Sequence, residues 1–164
     1  FCHNHLLNYL RNFQIIAWST FIFGILLYFS DKSKINKNLD KDLNIKKVLL
    51  IGLFQCLALV PGVSRSGITI TAARFIKFNR LDSLKISFYL SIPALAGASL
   101  IGLKDLLNKN IDFNLIILTS SILSFIFSYL TIKYFLIYVK KYSLNVFVYY
   151  RIFLALLLFV IIYS

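Results

Sequence analysis

A short polar segment interrupts an apolar stretch of the chain, and its residue types are suited to binding an anion. Residues 61–67 read PGVSRSG. The guanidinium of Arg65 can form paired hydrogen bonds with phosphate oxygens, and the hydroxyls of Ser64 and Ser66 can cap a helix or donate to a ligand. A helix beginning here would direct free N–H groups and its positive dipole end at the segment, with Thr69 one turn later on the same face. These features predict a phosphate site; the alternative is that Ser64 only caps a helix while Arg65 extends to the membrane surface.

The apolar pieces on either side of this segment are too short to cross a membrane. Residues 48–60 would form a helix of about 20 Å, whereas a hydrocarbon core is about 30 Å thick. The second piece, 68–73, is closed by Arg74 and Lys77. Irregular backbone at membrane depth is tolerated only where protein buries it or a wet cavity adjoins it. The pattern therefore predicts a re-entrant helix-loop-helix over 48–76.

The composition identifies the chain as a membrane protein. Apolar residues make up 59% of the 164 residues and charged residues 15%, against about 45–50% and about 25% in soluble domains. With two Cys, six Gly and two Pro, a disulfide scaffold, collagen and disorder are excluded. Four apolar segments are long enough to span: 13–29, 86–103, 113–132 and 146–163. We expect an all-α polytopic membrane protein, a helical bundle with one re-entrant pair in a single membrane domain, 1–164.

The loop charges predict the orientation of these segments. Residues 31–47 carry six Lys and three Asp, residues 74–85 also sum to +3, and so do residues 133–145, whereas residues 104–112 are neutral. Basic loops are typically cytoplasmic, so the hairpin is expected to enter from the cytoplasm.

The basic side chains are assigned to the membrane surface and not to nucleic acid. The net charge of +12 comes from residues that cluster between apolar runs, so we expect no nucleic-acid partner. Arg74 and Arg80 are expected to contact lipid headgroups, and Arg151, near the start of the last span, to extend to the membrane surface.

Two residue types are missing from the sequence. There is no Met, so we expect Phe1 not to be a translation start and the chain to be a fragment; there is also no Glu among the six acids. Cys2-His3-Asn4-His5 offers three ligand types close together, but a structural zinc site usually needs four ligands. No metal site is therefore predicted there.

Residues 52–70, GLFQCLALVPGVSRSGITI, resemble the second signature of the undecaprenyl-diphosphate phosphatase family of the bacitracin-resistance type, which reads roughly G-x-x-Q-x-x-A-x-x-P-G-x-S-R-S-G-x-T. Residues 88–98, FYLSIPALAGA, are similar to the next helix of that family. The resemblance implies two inverted repeats, each with a re-entrant helix pair and three membrane helices. This chain would supply the last helix of the first repeat and the whole second repeat.

The resemblance also implies an activity and a set of site residues. The family removes the terminal phosphate of undecaprenyl diphosphate in the bacterial inner membrane, which recycles the lipid carrier of cell-wall synthesis and confers bacitracin resistance. By position, Arg65 and Ser64 would be the catalytic pair that holds the diphosphate. Thr69 would be a further contact, and Ser66, Gly67 and Gln55 would be supporting parts of the substrate site.

The chain departs from the family at its first motif, a Glu pair spaced four apart followed by a Ser and a His. That motif supplies the metal ligands, the proposed nucleophile and the acid/base. We therefore expect no metal site in this chain, with Mg²⁺ or Ca²⁺ entering only through the acidic motif, and no phosphatase activity from the chain alone. An anionic-lipid transporter or flippase and a catalytically incomplete membrane subunit remain alternatives. The expected partners are a polyprenyl diphosphate lipid and the membrane, and a homodimer is left open.

Overall fold

The computed structural model describes residues 13–35, 37–108 and 115–163, and these are almost entirely helical. Its helices are α1 (Phe13–Asp31), α2 (Leu39–Asp42), α3 (Ile45–Cys56), a 3-10 turn (Leu57–Leu59), α4 (Arg65–Phe75), α5 (Arg80–Asn108), α6 (Leu115–Lys141) and α7 (Asn145–Tyr163). In these ranges the sole β feature is an isolated bridge between Lys37 and Phe78. The all-α prediction is confirmed. The Cys2–His5 cluster lies outside the described residues.

Four of the helices are long and apolar enough to cross a membrane. They contain the candidate spans Phe13–Asp31, Arg80–Lys104, Ile117–Lys141 and Asn145–Tyr163. Large apolar side chains on them are exposed, as expected for helices that face lipid: Phe153 is 66% exposed and Phe125 is 74% exposed. The prediction of a multi-pass membrane protein is confirmed.

Two of these helices extend beyond the apolar segments seen in the sequence. Helix α5 begins at Arg80, six residues before the apolar run at 86, because Asn79 caps it: the Asn79 Oδ1 accepts from the Asp82 N–H at 2.7 Å. Helix α6 continues to Lys141, well past the end of the charge-free segment at 132. A charged residue such as Lys133 ends the apolar segment in the sequence, but its backbone still forms helical hydrogen bonds, so the helix continues past it.

The described chain forms two compact units. The first contains residues 13–87 and 143–163, and the second contains residues 88–142. In the first unit α1 packs along α7 and against α4, and α3 packs against α4. Edge-on aromatic contact reinforces the α1–α7 pair, with the Trp18 and Phe159 ring centroids 5.1 Å apart. The second unit consists of the remainder of α5 together with α6.

Helices α3 and α4 form a hairpin whose two ends lie together. The Lys47 ammonium, in the first turn of α3, lies 5.7 Å from the ring centroid of Phe78, which follows α4. The Ser33 hydroxyl donates to the Arg74 carbonyl at 2.9 Å, and the Lys37 N–H donates to the Lys77 carbonyl at 3.2 Å. We call this part of the first unit, residues 31–47 and 74–82, the basic end.

The break between α3 and α4 lies far from the basic end, against the middle of α1. The Thr20 hydroxyl donates to the Gly62 carbonyl at 3.4 Å. Thr20 precedes Asp31, the last residue of α1, by eleven residues, which is about 16 Å along a helix axis. Since the hydrocarbon core is about 30 Å thick, the break lies about halfway along a helix of membrane-spanning length.

Candidate anion-binding site

The polar break needs a glycine at position 62. After the 3-10 turn, the Val63 N–H donates to the Val60 carbonyl at 3.2 Å, and Gly62 follows Pro61 with a φ of 88°. This left-handed backbone favours glycine. A Cβ at this position would also lie 2.6 Å from the Ile16 carbonyl oxygen. Gly62 therefore permits both the turn and its close approach to α1.

Ser64 is the N-cap of α4. Its hydroxyl oxygen accepts from the Gly67 N–H at 3.2 Å and lies 3.3 Å from the Ser66 hydroxyl oxygen. Arg65 and Ser66 are the first two residues of the helix, so their N–H groups have no intrahelical acceptor. The break thus presents two hydroxyls, two free amide donors and the positive end of a helix dipole within one turn.

Arg65 has no partner among the residues that the structure describes. Its side chain is exposed, as is that of Ser66, while Ser64 is half-buried. Arg65 makes no hydrogen bond or ion pair with a described residue, so its guanidinium is free to bind a ligand. The structure places Ser64, Arg65 and Ser66 at the start of α4, and their role in binding stays a prediction.

Thr69, one turn after Arg65 in α4, is buried. It is 1% exposed. Its hydroxyl bonds to the carbonyls of Arg65 and Ser66 at 3.1 and 3.0 Å, and lies 2.6 Å from the Ser87 hydroxyl. Direct contact between Thr69 and a ligand would require giving up the bond with Ser87. Sequence reasoning missed Ser87, because no local pattern places it beside Thr69, eighteen residues earlier.

Gln55 lies in the last turn of α3, and its side chain is half-buried. Its backbone carbonyl accepts from the Leu57 N–H. The side chain makes no hydrogen bond with any described residue, so the contacts do not join it to the cluster of Ser64, Arg65 and Ser66.

A second arginine, Arg151 of α7, lies against the start of α4. A Cβ added to Gly67 would be 2.7 Å from Arg151 Nη2 and 3.2 Å from its Cζ. The sequence predicted that Arg151 would extend to the membrane surface. The structure corrects this: the side chain is directed at α4 because α7 packs along α1 beside that helix. The pairing of these helices was not evident from the sequence.

The arginines at the basic end are occupied by protein partners. Arg74 is 1% exposed and donates to the carbonyls of Phe78, Asp31 and Ser33 at 2.7, 2.6 and 3.0 Å. Arg80 forms a paired interaction with the Asp31 carboxylate at 2.7 and 2.8 Å. The expected contact of these two arginines with lipid headgroups is thus replaced by an internal network around Asp31.

The described residues do not assemble a metal site. In the ranges that the structure covers, no group of three or more His, Cys, Asp or Glu side chains could hold an ion. The donor set at the break consists of hydroxyls, amides and guanidinium groups, which suit an anion and not a divalent cation. The cation expected through an acidic motif stays a prediction, and no chemical step below depends on it.

The chain is similar to known proteins over most of its length. The chain matches the family model described as bacitracin resistance protein BacA over residues 1–157. A protein of Pelagibacter ubique (strain HTCC1062) named undecaprenyl-diphosphatase is 58% identical over 154 residues, covering 94% of this chain and 60% of that relative. One of the same name from Elusimicrobium minutum (strain Pei191) is 45% identical over 146 residues, covering 89% of this chain and 55% of that relative. The chain thus spans little more than half the length of these curated relatives, and it belongs to the bacitracin resistance protein BacA family.

Proposed function

We propose that this chain supplies the diphosphate-binding part of a site that hydrolyses undecaprenyl diphosphate to undecaprenyl phosphate and phosphate. The family places the chain in the bacterial inner membrane as a multi-pass protein. One observation carries the proposal: a Ser64-capped helix start about halfway along a membrane-length helix presents Arg65 without a described carboxylate partner. A charge at membrane depth is costly when it has no counter-ion, and an anionic lipid headgroup would supply one.

The residues at the break can bind a diphosphate through complementary interactions. Arg65 offers a bidentate donor for phosphate oxygens. The Ser66 hydroxyl and the free N–H groups of Arg65 and Ser66 add neutral donors, and the helix dipole favours negative charge at the same point. Ser64 holds this arrangement by capping the helix. Thr69 and Gly67 are proposed to shape the first turn, and Gln55 to support the approach from α3.

In the reaction, water attacks the terminal phosphorus and the bond from that phosphorus to the bridging oxygen breaks. Phosphate leaves, and the bridging oxygen remains on the lipid as part of the monophosphate. Negative charge shifts onto the bridging and terminal oxygens as this bond breaks. Arg65 and the donors at the break would stabilise that charge by position and electrostatics, which are the main catalytic demands of phosphoryl transfer. No described residue is assigned as nucleophile or general base, so this chain alone is proposed to bind without hydrolysing.

We further propose that α3 and α4 form a re-entrant pair entering from the cytoplasm. The contacts of Lys47 with Phe78 and of Ser33 with Arg74 support this arrangement, because they bring both ends of the hairpin to the basic end. The backbone N–H of Leu144, at the end of the third basic loop, also donates to Asp31 at 3.4 Å. The two basic segments of the first unit, 31–47 and 74–82, would then face the cytoplasm.

An anionic-lipid carrier is the second candidate function. It would use the same break but would need no acid/base or metal groups, and the sequence contains no Glu to provide them. Phosphate release separates the two functions, since a carrier leaves the diphosphate intact. A catalytically incomplete subunit would also bind the diphosphate without releasing phosphate. For such a subunit, adding the acidic portion of a relative would not restore phosphate release.

The proposal is tested by measuring both binding and phosphate release with the purified chain in lipid nanodiscs. We expect the chain to bind farnesyl diphosphate, a short prenyl diphosphate, and to release no phosphate from undecaprenyl diphosphate. Arg65→Ala should weaken binding at least tenfold, or ~1.4 kcal/mol. The matched control is Lys46→Ala, which removes an exposed positive charge at the basic end. Equal binding by Arg65→Ala and the control would contradict the proposed site, and phosphate release by the chain alone would contradict the partial-site proposal.

A further inference from the structure

We infer that Arg151 is a second anion-binding arginine of the site at the break, and that Gly67 is the residue that admits its guanidinium. This inference rests on the proposed function and adds a substrate-binding residue from α7, outside the signature segment. Three observations support it: the position of the Arg151 side chain, the lack of a described counter-ion and the space that two glycines leave for it.

Two glycines on two helices accommodate the Arg151 side chain along its length. A Cβ added to Gly24 of α1 would lie 3.3 Å from the Arg151 Cβ and 4.0 Å from its Cδ, and one added to Gly67 of α4 would lie 2.7 Å from Nη2. The stem of the side chain therefore passes α1 and the head reaches the first turn of α4. An added Cβ at Gly67 would require the guanidinium to shift and would also lie 3.2 Å from the Ser64 Cβ, whereas one at Gly24 would make a tight contact with the stem. The side chain thus runs from Gly24 of α1 to Gly67 of α4.

The location of Arg151 is electrostatically unfavourable unless an anion is bound. Arg151 is half-buried in a membrane-length helix and makes no hydrogen bond or ion pair with another described residue. Its guanidinium lies beside Gly67, which follows Arg65 by two residues in the first turn of α4. It is therefore close to the positive end of the α4 dipole. The described acids of this unit are Asp31, Asp40, Asp42 and Asp82. All lie at the basic end, and Asp31 is already paired with Arg80.

A lipid diphosphate resolves this conflict because it carries more than one negative charge. Two arginines at one helix start can neutralise a diphosphate more completely than one can, and each planar guanidinium can bind a pair of oxygens. The same arrangement would hold a charged headgroup close to the hydroxyls of Ser64 and Ser66. Arg151 therefore acts as a binding residue that contacts the ligand, and Gly67 acts as a positioning residue.

The first test replaces Arg151 with an apolar residue and measures both binding and stability. Arg151→Leu should weaken the binding of farnesyl diphosphate at least tenfold while leaving the melting temperature in nanodiscs unchanged or raised, because it removes an unpaired charge from a low-dielectric region. A structural arginine would show the reverse pattern, with a lowered melting temperature and unchanged affinity. Arg151→Lys retains the charge without the planar fork and should bind with intermediate affinity.

The second test displaces the guanidinium without removing it. Gly67→Ala should weaken binding to a similar degree, whereas Gly52→Ala, where an added Cβ meets nothing within 4 Å, should leave it unchanged. In a double-mutant cycle, Gly67→Ala should cause little further loss once Arg151→Leu is present. Full additivity, or unchanged affinity of Arg151→Leu beside a weakened Arg65→Ala, would overturn the inference while leaving the proposed function intact. Failure of the unaltered chain to bind would overturn both.

Discussion

The first unit contains two groups of arginines that differ in their partners. At the basic end, Arg74 and Arg80 surround the carboxylate of Asp31, and Arg74 also donates to three backbone carbonyls. At the break, Arg65 and Arg151 have no hydrogen-bonding or ion-pair partner among the described residues. The two groups lie in the same unit, and α4 carries one arginine of each, Arg65 and Arg74.

This difference separates structural charge from functional charge. A buried arginine surrounded by acceptors fixes the chain segments that supply them. Arg74 thus holds the end of α1 through the Asp31 carbonyl and the segment after α4 through the Phe78 carbonyl. An arginine with no described acceptor contributes little to folding, and we propose that Arg65 and Arg151 are placed to bind a ligand. The comparison predicts that substitutions at the basic end chiefly change stability, while substitutions of the arginines at the break chiefly change binding.

The largest expected effect comes from removing the shared carboxylate. Asp31→Ala leaves Arg74 buried and Arg80 without its paired acceptor, so we expect a loss of about 3–5 kcal/mol in the free energy of unfolding. Thermal or denaturant unfolding in detergent would measure it. Asp40→Ala, which removes an exposed acid from α2, is the control and should change stability little. Similar stabilities for the two variants would break the distinction between the two groups.

A smaller effect is expected from straining the turn at the break. Gly62→Ala must hold a non-glycine residue at a φ of 88° with its Cβ 2.6 Å from the Ile16 carbonyl oxygen. We expect a loss of about 1–3 kcal/mol, together with weaker binding of farnesyl diphosphate because the start of α4 moves. Gly52→Ala again provides the control. Retention of both stability and affinity would show that the turn does not set the position of Arg65.

The smallest expected effect concerns Thr69 and sharpens its role. Thr69→Val and Ser87→Ala each remove one hydroxyl of the buried pair, which should cost about 1 kcal/mol of stability. If Thr69 acts by holding the first turn of α4, both variants should reduce affinity for farnesyl diphosphate by the same modest factor. Loss of affinity in Thr69→Val alone would instead identify Thr69 as a direct ligand contact.

Local features of the site could be predicted from the sequence. The pair Pro61 and Gly62 marked the turn, and Ser64 marked the start of α4, because turn and capping preferences depend on neighbouring residues alone. The apolar segments likewise identified the long helices. Their ends were less predictable, since α5 and α6 continue through charged residues that still form helical hydrogen bonds.

Features that depend on distant parts of the chain could not be predicted. The pairing of Asp31 with Arg80 joins residues 49 positions apart, and the position of Arg151 depends on how α7 packs beside α1 and α4. No periodicity or motif in a single sequence specifies these contacts. Thr69 shows the same limit: its spacing predicts a face shared with Arg65, but its burial and its contact with Ser87, eighteen residues away, are not visible in the sequence.

The central claim is that a lipid diphosphate binds at the break, and thiol protection tests it most directly. In a chain with Cys2→Ser and Cys56→Ser, the variant Ser66→Cys places a thiol at the exposed start of α4, and Lys46→Cys places one at the basic end. Alkylation by a water-soluble maleimide would be timed in nanodiscs with farnesyl diphosphate or farnesol. We predict that the diphosphate slows labelling of the Ser66→Cys variant at least tenfold, that farnesol does not, and that labelling of the Lys46→Cys variant is unchanged. Equal labelling rates with and without the diphosphate, in a Ser66→Cys variant that still binds farnesyl diphosphate, would contradict the account.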